Sequence, residues 1–214
     1  MASQNQFSVG LESAGKKFFR NWIFKGLSFR FESPQKISVL GKNGSGKSTL
    51  LQVIAGYESL SEGVINYSRN GNDIPREEVY RCISIASPYL ELIEEYTLAE
   101  MVRFHFSFKN PSGKLSFEDI IQLTELEHSK DKIIKYYSSG MKQRVRLALA
   151  ILSDVDLVLL DEPLSNLDRE GETWYKSLVE KFLKEKSAIV CSNQNEAEYF
   201  FCEKNINIAD YRKT

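Results

Sequence analysis

Residues 41–49 bring three glycines together with lysine and hydroxyl side chains in one short stretch. Their sequence, Gly-Lys-Asn-Gly-Ser-Gly-Lys-Ser-Thr, fits the pattern G-x-x-x-x-G-K-[ST]. Glycines let the backbone turn tightly and direct several N–H groups at one anion, and a following helix adds the positive end of its dipole. We therefore expect a phosphate-binding loop, in which Lys47 reaches the β- and γ-phosphates of a nucleotide and the Ser48 hydroxyl binds Mg²⁺. The predicted nucleotide-binding residues of this loop are Gly41, Lys42, Asn43, Gly44, Ser45, Gly46, Lys47, Ser48 and Thr49.

Two acidic residues, Asp161 and Glu162, follow the apolar run at 157–160. Carboxylates at the end of a buried strand cost free energy unless they bind a cation or take part in proton transfer. In an open α/β sheet, that end of a strand is where ligands bind. Asp161 is predicted to bind Mg²⁺ together with Ser48, and Glu162 to orient a water for attack on the γ-phosphate. Alone, the two acids could cap a surface turn before Pro163, but beside a phosphate loop they indicate ATP and Mg²⁺ as cofactors.

The segments around these residues have the patterns of strands and helices that would position them. Residues 36–40 form a short apolar, β-branched run, and residues 50–55 carry apolar side chains at helical spacing before Gly56. The loop thus lies between a predicted strand and a predicted helix, as its pattern requires, and a glycine-rich surface turn is disfavoured. Further strands are predicted at 6–11, 26–32, 63–67, 82–86, 156–160 and 187–192, helices at 140–152, at 170–184 and after the N-caps Thr97 and Ser116, and a surface loop at 68–73.

Composition and charge narrow the class of protein. The 214 residues are 42% hydrophobic and 27% charged, which suits one α/β unit with a helical insertion. The formal net charge of −1 gives no field that favours nucleic acid or an anionic membrane. No apolar run reaches the roughly 18 residues that span a bilayer, and residues 1–6 lack the pattern of a secretory signal. The three cysteines, Cys82, Cys191 and Cys202, are expected to be free thiols in a reducing compartment.

Residues 137–145, Tyr-Ser-Ser-Gly-Met-Lys-Gln-Arg-Val, resemble the Leu-Ser-Gly-Gly-Gln signature of ATP-binding cassette (ABC) ATPases. Residues 164–168, Leu-Ser-Asn-Leu-Asp, are similar to the Ser-x-Leu-Asp loop of the same family. With the phosphate loop and the acidic pair, four elements stand in the family's order over nearly the whole chain. The resemblance implies an α/β fold, a P-loop NTPase core of ABC ATPase type with an N-terminal antiparallel β subdomain. It further implies an α-helical subdomain inserted at about residues 88–152 of a single domain, residues 1–214.

The resemblance also assigns binding roles outside the phosphate loop. In the family, the signature completes the ATP site of the opposite subunit, which implies a dimer with a second copy of the chain or with a paralogous cassette. The additional residues expected to bind ATP are Ser138, Ser139, Gly140 and Asp168. Tyr137, Ser139 and Met141 depart from the common Leu, Gly and Gln of the signature. Outside the family context, the Ser-Ser-Gly sequence would indicate an ordinary helix cap.

Two further nucleotide contacts are implied at Phe18 and Asn193. Phe18 resembles the family's aromatic residue on which the adenine ring stacks, and Phe19 matches less well; a core phenylalanine is the alternative. Asn193 stands at the family's switch histidine, where an amide can donate a hydrogen bond to the γ-phosphate but carries no positive charge. The expected catalytic residues are therefore Glu162, Lys47 and Asn193.

The family's glutamine loop is not visible in this sequence. Ser87 or Pro88 stands near the position of the glutamine that, in the family, helps to bind Mg²⁺ and connects the site to the transmembrane partner. That connection could instead be carried by nearby residues, namely Tyr89, Glu91, Glu94 or Glu95. Together with Asn193, this departure predicts a slow or partner-dependent ATPase; drift within a subfamily that uses these residues normally is the alternative.

These features predict an ATP-binding and ATP-hydrolysing subunit that energises a separate membrane permease from the cytoplasmic face of the membrane. The compact chain, without an obvious C-terminal regulatory domain, favours an exporter over a sugar importer. An ABC ATPase acting on ribosomes or DNA would carry a second cassette or a basic surface, and neither is visible, so no nucleic-acid partner is expected. A regulatory cassette with impaired hydrolysis is the remaining alternative, which Asn193 leaves open.

Overall fold

A computed structural model describes residues 6–211; residues 1–5 and 212–214 lie outside it, and with them most of the N-terminal segment considered for a secretory signal. Four antiparallel strands form the first sheet, in the spatial order β2-β1-β4-β5. They are β1 (Phe7–Phe18), β2 (Asn21–Glu32), β4 (Glu62–Arg69) and β5 (Asn72–Asp73). β1 and β2 are longer than predicted, because shifts of register between Leu11 and Lys17 let both strands continue beyond their alternating apolar stretches.

Five strands form the second sheet, in the order β6-β7-β8-β3-β9, and every neighbouring pair is parallel. They are β3 (Lys36–Leu40), β6 (Ile83–Ala86), β7 (Leu157–Asp161), β8 (Ser187–Ser192) and β9 (Lys204–Asn207). β7 and β8 are buried along their whole length, as their nearly continuous apolar sequences require. Because the carboxyl ends of parallel strands meet at one edge, the loops after β3, β6, β7 and β8 lie along the same edge of this sheet.

The chain between β6 and β7 holds three helices: α2 (Leu98–Phe106), α3 (Phe117–Leu123) and α4 (Ser139–Ile151). α2 and α3 begin with the capping boxes predicted at Thr97 and Ser116. The remaining helices are α1 (Lys47–Ile54), α5 (Arg169–Phe182) and α6 (Glu196–Tyr199). No helix among residues 6–211 is both long and apolar enough to cross a bilayer.

Strand β7 is shared by two apolar clusters that hold the layers together. Leu157 and Leu159 pack on the side of α1 and the antiparallel sheet. Val158 and Leu160 pack on the side of α2, α4 and α5. This alternation follows from the period of two along a strand, and it fixes the strand end that carries Asp161 between two well-packed cores.

The mixed α/β fold, with one antiparallel and one parallel sheet, confirms the predicted fold class. At residues 68–73, where a surface loop between strands is predicted, β4 and β5 form a hairpin, so the connection is shorter than predicted. Asn70 and Gly71 at its tip have φ of 53° and 79°, as a two-residue type I′ turn requires. β9 and α6 were not predicted, because elements of four residues show too little periodicity to be recognised.

Candidate functional site

The phosphate loop needs glycine at two positions for steric reasons. A Cβ added to Gly41 would lie 2.6 Å from both the Ser45 hydroxyl and a methyl group of Ile208. Gly46 has φ of 103°, and a Cβ there would lie 2.4 Å from a methyl group of Ile23. The loop is therefore pressed against its surroundings, and its shape depends on the missing side chains.

Helix α1 begins at Lys47, directly after Gly46, and carries no acidic residue in its first turn. The first N–H groups of a helix have no partner within the helix, so they remain free to bind an anion at this end. The loop borders a cavity of about 300 Å³. The cavity is lined by Ile23, Asn43, Gly44, Ser45, Gly46, Lys47, Ser48, Thr49, Tyr89 and Glu162.

The Lys47 side chain is buried and held by its own loop. Its ammonium group donates to the carbonyl oxygen of Gly41 at 2.8 Å and to that of Lys42 at 3.3 Å. The Glu162 carboxylate lies 3.5 Å from the same nitrogen. Lysine and glutamate, predicted from separate parts of the sequence, thus meet at the cavity.

Asp161, the last residue of β7, is the buried carboxylate of the site. It accepts a hydrogen bond from the Ser87 hydroxyl at 2.9 Å. Burial raises the pKa of Asp161, although the nearby hydroxyl groups of Ser48 and Ser87 lower it. Its Oδ1 atom is buried and has no hydrogen-bond partner within residues 6–211, an arrangement that costs free energy unless another group binds it.

The pair of Ser48 and Asp161 fits Mg²⁺. The described residues contain no cluster of three His, Cys, Asp or Glu side chains that could hold a metal. Mg²⁺, however, is usually bound through one or two carboxylates together with phosphates of the substrate, rather than by a protein cage. One buried carboxylate oxygen without a partner, next to the phosphate loop, is the donor set that such a site needs.

Glu162 has a backbone conformation that is unusual for a side-chain-bearing residue. Its φ is 44°, in the left-handed region that favours glycine, and its N–H donates to the carbonyl oxygen of Cys191 at 2.9 Å. A residue held there costs roughly 1 to 3 kcal/mol, and such positions cluster at functional sites. The turn directs the Glu162 carboxylate into the cavity while Asp161 remains buried.

The signature residues lie at the N-terminus of α4. The hydroxyl of Ser138 caps the helix by accepting from the N–H of Met141 at 3.2 Å, while Ser138 and Ser139 are both exposed. Gly140 packs against the next loop, because a Cβ there would lie 2.9 Å from the carbonyl oxygen of Asn166. Within the described chain, residues 138–140 do not line the phosphate-loop cavity.

Tyr137, which departs from the common leucine of the signature, is a buried residue. It is 6% exposed and packs in the cluster around α4. Its hydroxyl donates to the carbonyl oxygen of Ser129 at 2.6 Å. Burial raises the pKa of Tyr137 to about 12. Gln143, one helical turn after Ser139, ties α4 to the acidic strand end by donating to the carbonyl oxygen of Pro163 at 3.1 Å.

Three further residues that are predicted to contact the nucleotide, Asp168, Asn193 and Phe18, also do not line the cavity. Asp168 is the N-cap of α5, where its carboxylate accepts from the N–H of Gly171 at 2.8 Å. Asn193 is exposed in the loop after β8. Phe18 is 42% exposed, with the ammonium group of Lys16 4.7 Å from its ring centroid, so it is not the core phenylalanine of the alternative interpretation. Phe19 is 99% exposed and is not a core residue either.

Two side chains of the site were not found from the sequence. Ile23 on β2 lines the cavity and packs against Gly46, but an isoleucine in an apolar strand has no distinguishing pattern. Glu198 on α6 is a buried carboxylate that accepts from the N–H of Leu164 at 3.3 Å and from the hydroxyl of Ser192 at 2.5 Å. Burial raises the pKa of Glu198. Glu198 thereby joins the loop after Glu162 to the end of β8.

Comparisons with known proteins bear on the family and the fold of this chain. The family described as ABC transporter matches residues 24–165. The chain is 31% identical over 202 residues to the sulfate/thiosulfate import ATP-binding protein CysA of Salmonella typhi, which covers 89% of this chain and 55% of that protein. It is 30% identical over 165 residues to the Fe(3+) ions import ATP-binding protein FbpC of Fusobacterium nucleatum subsp. nucleatum, which covers 75% of this chain and 44% of that protein. The chain thus spans about half the length of these curated relatives.

A solved structure supports the fold. A dimeric ATP-binding cassette in a post-hydrolysis state, bound to ADP and Pi, matches this chain with a TM-score of 0.79 at 22% identity, over 93% of each chain. The family match includes the phosphate loop, the signature residues and the acidic pair. This chain belongs to the ABC transporter family, whose ATP-binding domains hydrolyse ATP.

Proposed function

We propose that this chain is the ATP-binding and ATP-hydrolysing subunit of a membrane transporter and that it energises a separate permease. The observation that carries the proposal is the Asp161 carboxylate, which is buried next to the Ser48 hydroxyl of the phosphate loop and has Oδ1 unpartnered among the described residues. Glu162 and Lys47 face each other across the adjoining cavity. These are the groups that hydrolysis of Mg·ATP requires.

Each residue has a distinct task in this reaction. Lys47 exchanges its two carbonyl acceptors for phosphate oxygens, with which an ammonium group makes stronger, charge-assisted hydrogen bonds. The loop N–H groups and the start of α1 bind the remaining phosphate charge. Glu162 orients a water at the γ-phosphate and accepts its proton. Mg²⁺ held by Ser48 and Asp161 would neutralise charge on the β- and γ-phosphates.

The chain is proposed to act as a dimer, with a second copy or a paralogous cassette. Support comes from the exposed N-terminus of α4, a helix of 13 residues whose first residues do not line the cavity of their own chain. A helix N-terminus binds anions, so Ser138, Ser139 and Gly140 suit the phosphates of a nucleotide held by the other subunit. Asp168 would contribute to the same interface while it caps α5.

The permease is proposed to dock on an exposed aromatic groove of about 340 Å³ beside β6. Tyr57 and Phe108 in this groove are 58% and 61% exposed, and exposed apolar clusters of this kind mark interaction surfaces. The groove also reaches Ser87, whose hydroxyl contacts Asp161, so a partner bound there would adjoin the nucleotide site. Such a partner would place the chain at the cytoplasmic face of the membrane.

The direction of transport is proposed to be import. The preference for an exporter depended on the compactness of the chain, whereas CysA and FbpC are both import proteins by name.

Docking of the permease on the aromatic groove is tested by co-expression with a multi-span protein encoded beside this gene. Wild type should co-purify with that protein and Phe108→Asp should not, while both should hydrolyse ATP equally well in isolation.

ATP turnover by the isolated chain tests hydrolysis itself. Glu162→Gln should lower turnover by about 100-fold or more while nucleotide affinity remains, because a general base contributes that much. The matched control is Glu180→Gln, the same change at an exposed position on α5, which should leave turnover unchanged. An unaffected rate in Glu162→Gln would reject its assignment as the base.

The same assay addresses the regulatory alternative, which Asn193 leaves open because an amide replaces the family's switch histidine. We expect slow turnover by wild type and faster turnover by Asn193→His. A wild type that binds ATP but shows no turnover above background would instead identify a regulatory cassette.

A further inference from the structure

Ser87 lies where the second sheet meets the cation-binding carboxylate. It directly follows β6, and the parallel pairing of Ala86 with Leu160 places it beside Asp161 at the end of β7. Ser87 is 2% exposed, so its hydroxyl has no access to bulk water. A buried hydroxyl has to find its hydrogen-bond partners within the protein.

The Ser87 hydroxyl is engaged on both sides. It donates to Oδ2 of Asp161 at 2.9 Å and accepts from the N–H of Tyr89 at 3.4 Å. A hydroxyl has a single hydrogen to donate, and here that hydrogen goes to the carboxylate. The N–H of Tyr89 occupies one acceptor site, which sets the orientation of the hydroxyl.

The two oxygen atoms of the Asp161 carboxylate therefore have different hydrogen-bonding environments. Oδ2 is bonded to Ser87, whereas Oδ1 has no partner among residues 6–211. We propose that Ser87 is a positioning residue for the Mg²⁺ site: its hydroxyl fixes the Asp161 carboxylate so that Oδ1 stays available to the cation. This role rests on the proposed function, and it does not require Ser87 to touch the cation.

Ser84, which lies on β6 itself, provides a matched control. It is also 2% exposed, and its hydroxyl donates to the carbonyl oxygen of Ala150 at 2.8 Å, a partner outside the site. Ser84→Ala and Ser87→Ala therefore each remove one buried hydroxyl and the hydrogen bond that it donates. Only the second removes a bond to Asp161, so the pair separates positioning from general destabilisation.

The experiment is a titration of Mn²⁺, followed by electron paramagnetic resonance, on the full chain saturated with a non-hydrolysable ATP analogue. Ser87→Ala should weaken Mn²⁺ binding about 10- to 100-fold, the usual effect of losing a group that orients a metal ligand. Ser87→Thr, which keeps the hydroxyl, should stay within about threefold of wild type. Ser84→Ala should match wild type. Equal Mn²⁺ affinities for Ser87→Ala and Ser84→Ala would overturn the proposal.

A second measurement separates this proposal from the proposed function. Binding of the same analogue in the presence of EDTA should be unchanged in Ser87→Ala, because Ser87 acts only through the metal-binding carboxylate. An equal loss of metal-free binding would overturn the positioning role. Failure of wild type to bind the analogue at all would overturn the proposed function and this inference with it. If Ser87→Ala does not fold, Ser87→Cys carries the test, since a thiol is a weaker donor of similar shape.

Discussion

Lys47 and Lys186 occupy opposite ends of the parallel sheet, and both direct an ammonium group at main-chain carbonyl groups. Lys47 follows β3 and donates to two carbonyl oxygens of its own loop, with the Glu162 carboxylate across a cavity. Lys186 precedes β8 and donates to the hydroxyl of Ser112 and to the carbonyl oxygens of Ile151, at 3.1 Å, and Ser153, at 2.6 Å.

The two lysines differ in the segments that supply their carbonyl acceptors. The carbonyl acceptors of Lys186 come from the end of α4 and the residues after it, where a helix presents carbonyl groups without helical partners and a cation is favourable. Burial lowers the pKa of Lys186 to about 8. Those of Lys47 come from a loop that lines a cavity, so the ammonium group can turn from them to a ligand. Lys186 therefore stabilises the fold, whereas Lys47 is proposed to bind phosphate.

The largest expected effect concerns Lys47. Lys47→Ala should lower Mg·ATP affinity by about 100-fold or more, since charge-assisted bonds to the phosphates are lost. The free energy of unfolding should change by less than about 1 kcal/mol, because the Lys47 side chain itself lines the cavity and water can take the place of its amine there. Titration with a fluorescent nucleotide and urea denaturation measure the two quantities. Retained affinity would contradict the phosphate-loop assignment.

Lys186 should show the opposite division of effects. Lys186→Met should lower the free energy of unfolding by about 2 kcal/mol, because carbonyl groups at the end of α4 lose a charged donor. Nucleotide affinity should stay at the wild-type value. Lys184→Met, at an exposed neighbouring position, is the control and should have little effect. A loss of ATP binding in Lys186→Met would mean that the two ends of the sheet are coupled.

Glu198 sharpens the comparison, because it lies near the site yet has protein partners. Glu198→Ala should lower kcat about tenfold and leave KM near wild type, since the loop after Glu162 loses its connection to β8. Glu198→Gln should retain much of the activity, because an amide oxygen still accepts one of the two hydrogen bonds. Steady-state kinetics measure this split. An unchanged kcat would show that Glu198 serves stability alone; Glu196→Ala on the same helix is the control.

The smallest expected effect is a pH dependence near Lys186. His105 contacts the Ser153 hydroxyl at 2.9 Å, and burial, aided by the charge of Lys109, lowers its pKa to about 4. Between pH 6.5 and 4 the unfolded chain binds a proton that the folded chain does not, so stability falls as the pH falls. The free energy of unfolding of wild type should fall by about 1 to 2 kcal/mol more than that of His105→Gln between pH 7 and pH 5. Urea denaturation at the two pH values measures it, and parallel losses would contradict it.

The sequence indicated those parts of the site that are contiguous. The phosphate loop and the acidic pair each combine residue types in a short stretch with an apolar strand before it, and the structure places both at one sheet edge. Lys47 and Glu162 are far apart in sequence, but β3 and β7 both pair with β8, so their ends converge. That convergence follows from the strand order, which the structure shows and the sequence did not predict.

Contacts made by common residue types could not be predicted. Ser87 was noted only as one of two residues near the expected glutamine; its hydrogen bond to Asp161 depends on the pairing of β6 with β7. Glu198 belongs to a helix of four residues, too short for a pattern, and its partners lie on two other loops. Tyr137 departs from the expected leucine, and its hydroxyl finds a partner in the Ser129 carbonyl group, a contact with no sequence pattern.

The left-handed backbone of Glu162, with φ of 44°, has a consequence for selection and engineering of this chain. Glycine would relieve roughly 1 kcal/mol of strain at this position, so any search for thermostable variants would tend to favour Glu162→Gly. That variant would also lose the carboxylate that faces the cavity. Stability and turnover are therefore expected to place opposite demands on this one residue.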